Sequence, residues 1–265
     1  MRIRASLRLP KEHGAWAMVY VPFVIGALVA GSFSLRVALA GLSVTFLFIA
    51  RESWLSWWRA RSRGQTGREP RRMMLVYLGV AATAAAPLVI FYKLFWLVGF
   101  GLLTLALLAL NAQQALRRED RTIIGETMAI LGMTLTAPTA YYAASGAWDL
   151  TALWLWAMCA LYFTSSVFYV KLRVHSLNRR RREAKVTSWW MCALYHSFLL
   201  GALIVFAITG SLNMLALVAF APAFARSFWQ LAKPARDLNL RLIGVMEIVY
   251  SLVFLVFITM TFRVA

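Results

Sequence analysis

The chain has 265 residues, 62% of them hydrophobic, and a mean hydropathy of +0.69. A soluble domain of this length has too little interior for so much apolar surface, so the composition excludes an ordinary globular protein and points to a polytopic membrane protein. The formal charge of +18 does not indicate nucleic-acid binding, because the basic residues lie between apolar runs of spanning length.

Nine such runs are predicted, at about 14–31, 35–58, 73–91, 94–114, 122–145, 150–171, 188–208, 211–230 and 239–262. Lengths near 20 residues match a hydrocarbon core of about 30 Å at about 1.5 Å per residue. The fold class expected is therefore all-α, a polytopic membrane helical bundle of about nine transmembrane helices in one integral membrane domain, 1–265.

The first run follows a basic segment (Arg2, Arg4, Arg8, Lys11), as the core of a signal peptide would. No small-x-small site closes it and further spans follow, so it reads as a retained span. It opens with Pro10-Lys11-Glu12-His13-Gly14. Lys11 and His13 are candidate ligand contacts there; a packed capping turn is the alternative.

Basic residues set the orientation. The N-terminus carries four, connection 2–3 seven, connection 4–5 three, connection 6–7 seven and connection 8–9 four, which is 25 of 28. The other side keeps Arg36, Lys93 and Arg263. The positive-inside rule then places the N-terminus in the cytoplasm and the C-terminus outside, in a bacterial cytoplasmic (inner) membrane. A shift of 114 residues lays span 1 on span 5, Glu12 on Glu126 and Arg59 on Arg173. Two parallel four-helix halves, about 12–115 and 122–230, followed by a ninth helix at 239–262, would produce that shift.

Ionisable groups inside spans cost a few kcal/mol and need a reason. His13, Arg51, Glu52, Glu126, His196, Arg226 and Glu247 all fall in the cytoplasmic half of their spans. Snorkelling accounts for Arg51 and Arg226. Glu247 has too short a reach for that and is expected to face a cavity. One polar cavity, open to the cytoplasm, with a cationic rim and an apolar floor, is the arrangement expected. It suits an amphiphile with an anionic head, since arginine offers forked donors for phosphate. Lys171, Arg173 and His175, at the end of span 6, are rim candidates. The run Arg179–Arg182 is read as fixing topology and meeting anionic lipid heads.

Cys159 and Cys192 read as buried small hydrophobes, and the histidines lack metal-ligand spacing. Gly26, Gly125, Gly132 and Gly244 are expected to ease helix packing, and Pro138 and Pro222 to bend spans 5 and 8.

The segment LPKEHGAWAMVYVPFVIG (Leu9–Gly26) resembles the opening signature of the YwiC-like family of bacterial membrane proteins. LNLRLIGVMEIVYSLVF (Leu238–Phe254) looks like that family's closing helix. The layout is also similar to the UbiA superfamily of intramembrane prenyltransferases, with nine helices, a cytoplasmic-side cavity and two parallel halves. That family places Asp-rich motifs at the cytoplasmic ends of helices 2 and 6, where Mg²⁺ holds a prenyl diphosphate. Here those places read Arg51-Glu52-Ser53-Trp54-Leu55-Ser56-Trp57-Trp58-Arg59 and Phe168-Tyr169-Val170-Lys171-Leu172-Arg173-Val174-His175, with Glu52 the single acidic residue. Mg²⁺ is therefore not expected and no cofactor is predicted. The expected partners are membrane lipids, through anionic head groups at the cytoplasmic face.

The leading functional expectation is binding of an anionic amphiphile, a prenyl or other lipid phosphate. Arg51, Arg173 and His175 would grip the head, with Glu52, Glu126 and Glu247 shaping the cavity. A metal-independent prenyl or lipid-group transferase, using Glu247, Glu126 or His196 as base, and a small-anion or metabolite transporter are the alternatives.

Overall fold

The computed structural model describes residues 13–116, 122–177, 182–233 and 240–264. Long apolar runs can satisfy their backbone only as helices in a membrane, and the described residues form ten: α1 (His13–Val29), α2 (Leu35–Ser62), α3 (Arg68–Ile90), α4 (Trp96–Leu116), α5 (Ile123–Thr134), α6 (Thr136–Ser145), α7 (Leu150–Leu177), α8 (Arg182–Ile208), α9 (Leu215–Ala232) and α10 (Leu240–Val264). No strand occurs among the described residues. Six helical segments are long and apolar enough to cross a membrane: α3, α5 with α6, α7, α8, α9 and α10. α1 and α4 supply shorter apolar stretches, and α2 carries Arg51, Glu52, Arg59 and Arg61 along its 28 residues. Many large apolar side chains point outward, among them Leu75, Val76, Phe198, Val245 and Leu252. Such a surface fits a lipid solvent, and the protein is a multi-pass membrane protein.

α5 and α6 are one span broken at Leu135. Pro138 lacks the N–H that the Thr134 carbonyl would accept, so the helical ladder is interrupted there. The Thr134 hydroxyl turns back to the Ile130 carbonyl at 2.8 Å, and that of Thr136 reaches across to the Val19 carbonyl of α1 at 2.7 Å. α9 runs unbroken through Pro222.

α1 and α6 approach closely because Gly26 has no side chain. A Cβ at that position would collide with the Ala137 carbonyl and lie 2.9 Å from the Tyr141 nitrogen. Gly244 does not serve such a purpose; a Cβ there meets nothing within 4 Å.

α7 is the most buried span, with 61% of it inside the protein, whereas α3 is the least, with 17%. One apolar core gathers Tyr162 and Met158 of α7 with Phe220 of α9, Phe254 of α10 and Ile25 of α1. A second joins Phe23 and Ala27 of α1 to Leu88 of α3, Phe100 of α4 and Tyr142 of α6. α1 and α6 contribute to both.

The α2–α3 connection (residues 63–67), with Arg61, Arg63, Arg68, Arg71 and Arg72 in or beside it, marks one end of the bundle, called the basic end below. At the opposite end, Arg36 donates to the Ala144 carbonyl at 3.2 Å and stacks over Tyr92, and Arg263 donates to the Leu28 carbonyl at 2.9 Å. Each cation thus satisfies a carbonyl in the last turn of another helix, where the helix dipole also favours positive charge.

Candidate ligand-binding site

α2 is long enough to carry Arg51 toward the basic end. The Arg51 guanidinium donates through Nη1 to Glu52 Oε1 at 3.0 Å and through Nη2 to Asn111 Oδ1 of α4 at 3.0 Å. Asn111 is 4% exposed, and its amide also approaches the Gly125 carbonyl of α5 at 3.4 Å. Three helices are therefore tied together by one arginine and one asparagine. Arg51 does not simply snorkel; half of its fork is spent inside the protein.

Arg51 and Asn111 lie at one end of a cavity of about 520 Å³ bounded by α2, α3, α4, α5 and α6, with Val19 of α1 also in its lining. Its walls are almost wholly apolar. α3 offers small residues (Ala81, Ala82, Ala85), α4 offers Gly101 among leucines, and the remaining polar groups are hydroxyls such as Ser43 and Thr104. Along α4 the lining runs from Leu97 to Asn111, about 21 Å at 1.5 Å per residue. The volume lies in the usual range for small-molecule sites, about 300–1,000 Å³.

The other candidates from the sequence are not in this lining. Glu126 of α5 pairs with Lys171 of α7 at 3.1 Å. Arg173 donates to the Tyr169 hydroxyl at 3.2 Å, and His175 Nδ1 meets Ser188 Oγ of α8 at 2.6 Å. Arg173 and His175 thus stand on α7, away from the cavity that holds Arg51. His13 is the first residue of α1, and Lys11 and Arg179–Arg181 lie outside the described residues.

Residues 9–141, half of the chain, match the family of YwiC-like proteins. The chain belongs to the YwiC-like family. The matched segment encloses every cavity-lining residue, from Val19 to Thr139. Two relatives extend the likeness over nearly the full length. The uncharacterised protein YwiC of Bacillus subtilis is 27% identical over 250 residues, 93% of this chain and 95% of its own. An uncharacterised protein of Haemophilus influenzae is 24% identical over 252 residues, 95% of this chain and 97% of its own. No solved structure matches.

In the other part of this YwiC-like chain, α7, α9 and α10 enclose a buried polar group. The Arg226 side chain is 4% exposed and forms an ion pair with Glu247 of α10. Its Nη2 donates to Ser165 Oγ at 3.3 Å and to Ser166 Oγ at 2.9 Å, and Ser166 in turn donates to Glu247 Oε2 at 2.7 Å. The rings of Tyr169 and Tyr250 lie 4.9 and 5.6 Å from the guanidinium carbon. Arg226 does not snorkel to the interface, as expected from its position, because Glu247 and two serines satisfy it inside the bundle. His196 is fully buried, with Nδ1 2.8 Å from the Cys192 carbonyl and Nε2 2.9 Å from Ser227 Oγ. A carbonyl only accepts, so Nδ1 carries a proton and, in the neutral ring, Nε2 accepts from Ser227.

The expected single polar cavity is therefore divided. Arg51 lines an apolar slot; Glu126 and Lys171 neutralise each other; His196, Arg226 and Glu247 are packed into the helical core. Sequence reading missed Asn111, Ser165, Ser166, Ser227, Tyr169 and Tyr250. Their signal was present: uncharged polar residues inside apolar runs, which pair across helices because lipid offers no partner.

The positions where a UbiA-like protein would hold Mg²⁺ do not fit that ion. Glu52 is the one carboxylate there, and Arg51 already occupies it. Among the described residues no three His, Cys, Asp or Glu side chains converge.

Proposed function

We propose that this protein binds an anionic amphiphile, a prenyl or other lipid phosphate, with its head at Arg51 and Asn111 and its apolar tail along the slot between α2 and α6. The carrying observation is the position of one arginine and one buried amide at the end of a long apolar cavity. Arginine's fork can share its donors between Glu52, Asn111 and an incoming phosphate oxygen, which a lysine could not do. Nine membrane spans in a UbiA-like arrangement, with the N-terminus and the basic end in the cytoplasm of a bacterial inner membrane, complete the reading. The charge distribution supports that orientation. Anionic lipid heads would gather at the basic end at about 1 kcal/mol per basic residue.

Direct neutralisation by Arg51 replaces the role that Mg²⁺ has in UbiA-like enzymes. Group transfer and anion transport receive less support, because the bases and polar groups they would use, His196 and Glu247, are held in the core away from the slot.

Native mass spectrometry of the purified protein tests the proposal. A retained acidic lipid, lost in Arg51→Ala, is the expected result. Wild-type protein free of any lipid and unable to take up a lipid phosphate would remove the reading.

A further inference from the structure

We infer that the slot is filled sideways from the bilayer: a lipid in the leaflet at the basic end passes one apolar chain between α3 and α4 and leaves its anionic head at Arg51 and Asn111. This rests on the proposed function and adds to it the route in and the number of chains.

The mouth comes from how two neighbouring helices diverge. α3 and α4 are consecutive and joined by the short turn 91–95, yet they do not pack along each other; α3 lies against α2, and α4 against α5. The turn holds them together far from Arg51, so the gap faces the lipid and runs toward the basic end. Ala82 of α3 and Val98 and Leu102 of α4 line the cavity while also being exposed on the outer surface, with Leu102 63% exposed. Residues that do both mark an opening. All three are apolar, so the opening meets hydrocarbon, where a water-soluble anion does not go.

The size selects the occupant. The cavity volume of about 520 Å³ leaves room for an extended alkyl chain. The length of about 21 Å along α4 suits one extended chain rather than a folded pair. At the head end, Arg68, Arg71 and Arg72 begin α3, ten to fourteen residues before Ala82, and add positive charge at the surface of that leaflet.

The test uses the full chain in nanodiscs with hexadecyl phosphate carrying a diazirine on its chain, and maps photo-adducts by mass spectrometry. Ala82→Trp and Leu102→Trp narrow the mouth from opposite sides, each at an exposed position, so misfolding of one leaves the other informative. Leu252→Trp on α10 is the control. We expect adducts on α3 and α4, and labelling reduced about tenfold by either mouth variant and by Arg51→Gln, a change of about 1.4 kcal/mol. The control and an excess of inorganic phosphate are expected to leave labelling unchanged. Wild-type labelling in both mouth variants, with Arg51→Gln still reducing it, would overturn the lateral route and leave the binding function standing. Equal labelling by a dialkyl phosphate probe would overturn the single chain, and competition by inorganic phosphate would point to a soluble anion instead. Absence of any Arg51-dependent adduct would remove both the route and the binding function.

Discussion

Arg226 of α9 donates to Ser165 of α7, and the 114-residue offset that lays span 1 on span 5 carries Ser165 back onto Arg51. Arg51 of α2 in turn donates to Asn111 of α4, whose counterpart under the same offset, Ala225, is the residue before Arg226. In both regions an arginine joins two helices that are not consecutive, α2 to α4 and α9 to α7. The two regions differ in content: a slot lies beside Arg51, whereas Glu247, Tyr169 and Tyr250 surround Arg226.

Arg51 and Arg173, both expected from the sequence to grip an anionic head, are predicted to differ. Arg51→Ala is expected to reduce retained acidic lipid about tenfold, the loss of a charge-assisted contact of about 1.4 kcal/mol or more. Arg173→Ala is expected to change retention little, because Arg173 bonds Tyr169 and does not line the slot. Quantitative lipid extraction from the purified variants checks both. A loss confined to Arg173→Ala would place the head on α7 instead.

Arg226 and Glu247 are expected to act as one unit in stability. Removing either alone leaves a buried charge without its partner, at a cost of about 3–5 kcal/mol. Arg226→Gln and Glu247→Gln are each expected to lower the unfolding midpoint in denaturing detergent, and Arg226→Met with Glu247→Met to recover much of the loss. A double variant whose loss equals the sum of the single losses would show that the two residues do not depend on each other.

The helices were legible because length and apolarity are read directly from the chain: a helix stands at each of the nine runs, and six of the segments are long and apolar enough to cross a membrane. The break at Leu135 was signalled by Pro138, while Pro222 gave the same signal in a helix that stays continuous. In the sequence, 25 of the 28 basic residues group at alternate connections. What the count left unexplained, Arg36 and Arg263 on the opposite side, is resolved by carbonyls supplied from helices distant in sequence. The site was only half legible. Ionisable residues announce themselves in an apolar run, but their pairing does not, so Glu126 and Lys171, 45 residues apart, read as separate ligands rather than as each other's partner. The slot itself was hidden, since Ala81, Ala82 and Ala85 read as packing residues until α3 is seen to stand away from α4.

Gly26 and Gly244 looked alike in sequence and are expected to behave differently. Gly26→Ala drives a methyl group into the Ala137 carbonyl, so α1 and α6 must separate, at about 1–3 kcal/mol for an overpacked contact. Gly244→Ala meets open space and is expected to be neutral or to stabilise by about 0.4–1 kcal/mol through the unfolded chain. Unfolding midpoints of the two variants, measured side by side, decide this. A stable Gly26→Ala protein would mean that the α1–α6 contact can slide.

The orientation can be tested with single cysteines. Cys159 and Cys192 are buried, so they should not compete for a membrane-impermeant maleimide. Phe33, 69% exposed in the α1–α2 turn, lies at the end capped by Arg36 and Arg263; Thr66, exposed between α2 and α3, lies at the basic end. Phe33→Cys is expected to label in intact cells, and Thr66→Cys only after the membrane is permeabilised, because the basic connections are retained in the cytoplasm. The reverse pattern would put Arg51 and the head end of the slot on the outer side, and a lipid would then have to come from the outer leaflet. Labelling of both positions in intact cells would mean that α2, the one helix between them, does not cross the bilayer.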